Sequence, residues 1–174
     1  MLTVKRLALV SALCLSLLGV GHANFAAAAT ADSCAVLTPA AIDDIITTLS
    51  ASLVKAEADA AANGTTGAYA VAATYNRDGV RNARDQFVTL RNWLNELGLA
   101  APYVSNTSAA YNVHGTGREA VTQLHHARHW ATISIVYHHS SDAYESMELT
   151  TQALDQIDTL GAHAARCYIQ AYYP

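Results

Sequence analysis

Five of the chain's eight histidines fall between Val121 and His139, in the stretch VTQLHHARHWATISIVYHH. Imidazole binds transition metals and changes charge close to neutral pH, so a cluster of this density invites a chemical reading first. His125 and His129 lie four residues apart, neighbours on one helical face, a spacing at which two imidazoles can share one metal ion. The third ligand has to come from elsewhere. If the chain folds back near residue 140, position 125 stands level with 155, and Asp155 is the expected partner of His125. Met147 would suit copper or haem, so zinc, copper and haem are the cofactors this metal reading implies. His138 and His139 with Asp142 make a second, weaker candidate at the hairpin tip.

The same stretch carries a different possibility. At 100° per residue, Val121, Leu124, Ala127, Ala131 and Ile135 form one apolar face, the expected core side. Trp130, Ile133 and Tyr137 form a second strip almost opposite. Together with His126 they read as a partner-binding surface, because aromatic side chains away from the core are typical of interfaces. Solvated or carboxylate-linked surface histidines are the third, plainer reading of the cluster.

Catalytic signatures are missing. The sequence holds no HExxH, no Glu-x-x-His pair of the di-iron type, no CxxCH, no GxSxG and no phosphate loop. Asp43-Asp44 reads as a solvated acidic pair. The expectation is a non-enzymatic protein.

The elements that would position these residues are helices. Thr38-Pro39 reads as an N-cap followed by a proline at the first helical position. Behind it Ile42, Ile46, Leu49, Leu53, Ala56 and Ala60 recur at steps of four and three, until Asn63-Gly64 ends the pattern. A second stripe runs Tyr69, Ala73, Asn76, Val80, Ala83, Phe87, Leu90, Leu94 and Leu97. Gly79 is a soft point in that one long helix. Residues 98–115 are rich in Gly, Ser and Asn and are expected to be an irregular crossover. Thr116-Gly-Arg-Glu119 fits a capping box, which starts the histidine helix near residue 117. Ser140-Ser141-Asp142 reads as turn and cap to a last helix. In that helix Met147, Leu154, Gly161 and Tyr168 repeat beside Ala143, Thr150, Ile157, Ala164 and Ala171.

The fold class expected is therefore all-α, an up-down-up-down four-helix bundle. Lys5 and Arg6 followed by the apolar run Leu7–Val20 and a run of small residues read as a signal peptide spanning 1–29, cleaved on export. Residues 30–174 then form a single domain of about 145 residues, enough to bury a substantial core. Of the three cysteines, Cys14 leaves with the signal. Cys34 and Cys167 remain, and in an exported chain they are expected to form one disulfide joining the N- and C-terminal segments. In an up-down-up-down bundle the first helix starts and the last ends at one pole, which brings those two cysteines together.

Without Lys5 and Arg6, eight basic residues face fourteen acids, a net charge of about −6 with histidine neutral. A mildly acidic domain with no basic run argues against nucleic acid as a partner, and nothing after the signal is apolar enough for stable membrane insertion. Asn63-Gly-Thr65 and Asn106-Thr-Ser108 match glycosylation sequons. Size, export and four-helix pattern are similar to the periplasmic bundles of the cytochrome b562 and cytochrome c′ type. The likeness is one of architecture and transfers no residue roles, since CxxCH is absent and the first helix has no methionine. The function expected is that of a non-enzymatic periplasmic or secreted helical-bundle protein that binds an unknown protein partner through the strip of the histidine helix and the 98–115 loop. The alternative is a periplasmic zinc-, copper- or haem-binding protein built on His125, His129 and Asp155.

Overall fold

The structure is a computed structural model that describes residues 34–97 and 104–172. The signal segment 1–29 and residues 98–103 of the expected crossover lie outside the described residues. Four helices follow one another, α1 Pro39–Asn63, α2 Ala68–Leu97, α3 Val104–His138 and α4 Ser141–Tyr172. Each packs on its chain neighbours, and α1 closes the ring against α4. This is the four-helix bundle anticipated from the periodicity, with no strand among the described residues.

The caps follow from local chemistry. Thr38 is extended, and its hydroxyl accepts a hydrogen bond from the Ala41 amide at 3.3 Å, with Pro39 just inside α1. Gly64, at a φ of 72°, ends α1 where a side chain would be strained. His139 takes the left-handed conformation after α3, and its amide donates to the Ile135 carbonyl at 3.0 Å, so a histidine does the work usually left to glycine. Ser140 then caps α4, its Oγ accepting from the Ala143 amide at 3.1 Å.

The core runs the length of the ring. Leu37, Ile42, Ile45, Leu49, Val80, Phe87, Leu94, Val113 and Leu124 are fully buried. Each such side chain contributes roughly 1.5–3 kcal/mol relative to exposure, which is why stripe geometry dominates local propensity here. On α1 the buried face is centred one residue earlier than the stripe suggested, with Ile45 inside and Ile46 half-buried.

The main correction concerns α3. It begins at Val104, not near residue 117, and Thr116-Gly-Arg-Glu119 lies inside it. Ala109, Val113, Gly117 and Ala120 extend the buried row of Leu124, Ala127 and Ala131 backwards at helical steps. Small residues read as turn formers are here the floor of a helix packing closely on its neighbours, and burial overrides their weak helix propensity.

Two polar layers cross the core. Ser52 donates to the Ser146 carbonyl at 3.0 Å and lies 2.9 Å from the Thr150 hydroxyl, while Asn76 donates to Ser146 Oγ at 3.4 Å. That layer links α1, α2 and α4. Nearer the α3–α4 turn, buried Asp59 accepts through Oδ1 from Asn63, Ser134 and Ser140. Cys34 and Cys167 are bonded, with their Cα atoms 4.8 Å apart, tying the segment before α1 to the last turns of α4.

Candidate functional site

The aromatic strip of α3 comes to lie along the seam with α2. Gly79 makes this possible: a Cβ there would stand 3.0 Å from Ala127 Cβ and 3.0 Å from the Gln123 carbonyl, so the two backbones meet at closest approach. The register this sets brings two tyrosines of α2 onto the strip. Trp130 stacks on Tyr75, with ring centres 5.1 Å apart and planes 24° from parallel. Tyr137 tilts against Tyr69 at 5.9 Å, and His138 meets Tyr69 edge-on at 4.1 Å. His129 adds an edge contact to Trp130 at 5.4 Å. Such pairs add roughly 0.5–1.5 kcal/mol beyond area burial and hold the rings in defined rotamers.

The seam stays open to solvent. Tyr137 is 64% and Tyr75 53% exposed, Trp130 and Ile133 are half-buried, and His126 is exposed. Of the four residues proposed from sequence, Trp130, Ile133 and Tyr137 thus lie on one ridge with His126 at its edge. Sequence reasoning missed Tyr75 and assigned Tyr69 to the core stripe. Tyr75 lies off the four-three pattern of α2, and only the α2–α3 register shows that it faces Trp130. Residues 104–115 of the expected crossover are helical and continue α3, and it is Tyr69 and Tyr75 of α2 that lie against the strip.

The metal candidates are distributed differently. The hairpin does fold about residue 140, as the 3.8 Å contact from Thr132 Oγ1 to the Met147 sulfur shows. Asp155 nevertheless lines a groove between α4 and α1, beside Ala41 and Ile45, on the side of α4 turned away from α3. His125 and His129 are both exposed on α3 and remain a pair of imidazoles without that third ligand. Asp142 likewise bonds Lys55 of α1 at 3.4 Å, while His138 packs on Tyr69. Among the described residues no group of three or more His, Cys, Asp or Glu side chains is placed to hold a metal ion.

Electrostatics along the α1–α4 seam are those of surface ion pairs. Lys55 reaches Glu145 at 2.6 Å, and that hydrogen-bonded carboxylate, with Asp142, holds the ammonium above its ordinary range. On α4 the Glu148 carboxylate accepts from the Tyr144 phenol and raises it above its usual value. Both groups are solvent-facing, so these are adjustments of charge and not an acid–base pair buried for catalysis.

The fold and the seam together define a class: an all-helical, disulfide-closed bundle that carries an aromatic ridge on one helix pair. Compared with known proteins, the chain has no significant match to any family model, to any curated protein or to any solved structure. Among the described residues no helix is long and apolar enough to cross a membrane.

Proposed function

We propose that this is an exported, non-enzymatic binding protein that holds a protein partner on the α2–α3 seam, through Tyr75, Trp130, Ile133 and Tyr137 with His126 at the edge. The observation that carries the reading is the Tyr75–Trp130 stack beside the open Tyr137 ring. Rings already fixed by one another lose little side-chain freedom on binding, and Trp and Tyr are the residues on which binding energy concentrates. The basic start, apolar run and small-residue stretch at the head of the chain support export, as does a disulfide between Cys34 and Cys167.

The test is site-specific photocrosslinking in the cell that makes the protein. A photoreactive residue replacing Tyr137 should trap one defined protein, and the same residue at Thr47, exposed on α1, should not. Trp130→Ala should abolish the Tyr137 product while the chain still melts cooperatively, at a temperature lowered by a few degrees. Equal products from both positions, or none from Tyr137, would refute the assignment.

A further inference from the structure

The α3–α4 face differs from the rest of the bundle in two independent respects. The first is charge. Lys55, Arg77, Arg81, Arg84 and Arg91, the cations of α1 and α2, all pair with carboxylates. Arg118, Arg128 and Arg166, the cations of α3 and α4, form no ion pair among the described residues.

The second is shape. Gly115, Gly117 and Gly161, with Ala162 and Ala165, floor a groove of about 750 Å³ between α3 and α4. A Cβ on Gly115 or on Gly161 would meet nothing within 4 Å, so packing within the chain does not require glycine at either place. Glycine in a helix interior costs stability, and here the return is an open furrow. Through His114 and Ala165 it continues into a smaller apolar recess of about 320 Å³ beside Tyr111 and Ile169. Both of those side chains are exposed.

The rims are matched. A Cβ on Gly117 would stand 3.3 Å from Ile157 Cγ2, so α3 and α4 touch at that level. Arg118 and Asp158, the next residue on each helix, line the groove from opposite sides at the same height and are not paired with each other.

We infer that the occupant of this groove is a second copy of the chain, related by a two-fold axis running along the furrow. Such a rotation keeps every residue at its own height and exchanges α3 with α4. Arg118 of each copy then faces Asp158 of the partner subunit, giving two ion pairs for one symmetric contact. The furrow lets the facing helices approach, and the Tyr111–Ile169 ends meet at one pole. A two-fold axis across the helices would instead set Arg118 against Arg118 and Asp158 against Asp158, a repulsive arrangement. Charge therefore selects the parallel dimer. This surface lies on the α4 side of α3 and does not depend on the aromatic seam shared with α2.

Sedimentation velocity on the disulfide-bonded chain, over about 1–200 µM, tests the inference. Wild type should show a dimer that dissociates on dilution. Arg118→Glu alone and Asp158→Arg alone should each weaken it by at least about tenfold, and the two changes together should restore it, because the pairs re-form with signs exchanged. Gly161→Leu should give a monomer of undiminished helicity by circular dichroism, since leucine is the better helix former but fills the furrow. A wild type that stays monomeric throughout overturns the proposal and leaves the groove to a different molecule. A double variant as weak as the single ones, with melting unchanged, overturns the Arg118–Asp158 geometry that defines the dimer.

Discussion

Ser140 Oγ donates to Asp59 Oδ1 at 2.6 Å and also accepts from the Ala143 amide, so a single hydroxyl caps α4 and anchors the α3–α4 turn to the last turn of α1. Asp59 is 1% exposed, and its other oxygen has no partner, so each remaining donor matters. Ser140→Ala removes a cap and one of three donors at once. It should lower stability by about 2 kcal/mol in urea unfolding, and Asp59→Ala, which strands Ser134 and Asn63, by about 2–3 kcal/mol. A loss below about 0.5 kcal/mol for both would mean that the network contributes little.

Glycines that look alike in sequence separate by their surroundings. Gly79→Ala forces α2 away from Ala127 and the Gln123 carbonyl, and should destabilise by about 1–3 kcal/mol despite alanine's better helix propensity. Gly115→Ala meets nothing and should stabilise by about 0.5–1 kcal/mol. Thermal melts of the two single variants read the difference, and shifts of the same sign would contradict the close approach at Gly79.

The Tyr75–Trp130 stack has an optical signature. Trp93 and Trp130 are the two tryptophans, so Trp93→Phe leaves Trp130 as the sole reporter. In that background Tyr75→Ala should shift emission to the red and weaken capture of the partner, because Trp130 loses the ring that shields and orients it. Unchanged emission would show that the rings do not stack in solution.

The Cys34–Cys167 bond closes nearly the whole folded chain, with a sequence separation of 133. On the chain-entropy account, Cys34→Ala with Cys167→Ala should cost up to about 4–5 kcal/mol in chemical denaturation, chiefly by freeing the unfolded chain. Reduction of the wild type should give the same loss. A variant as stable as the wild type would assign the bundle's cohesion to its core alone.

Much was legible from residue order, and for identifiable reasons. Thr38-Pro39 and Asn63-Gly64 bound α1 because capping is decided by side chains within a few positions of one another. The stripe through Val80, Phe87 and Leu94 carried α2 across Gly79, because eight apolar positions in four-three steps outweigh one weak helix former. Cys34 and Cys167 could be paired because bundle topology leaves them at one pole. The start of α3 was not legible. Ala109, Val113 and Gly117 are small, and small residues report packing only once the facing helix is known.

The amino-acid order thus determined four helices, the caps of α1 and the N-cap region of α4, and the bond between Cys34 and Cys167, since each depends on spacing along one chain. Tertiary structure alone decided that Asp155 faces α1 and not His125, that Tyr75 lies under Trp130, and that Arg118 and Asp158 stand unpaired across a furrow. Those facts depend on rotation and register between helices, which are set by the close approach at Gly79 and by the α3–α4 turn at His139, and a shift of one residue in either would turn each side chain by about 100°.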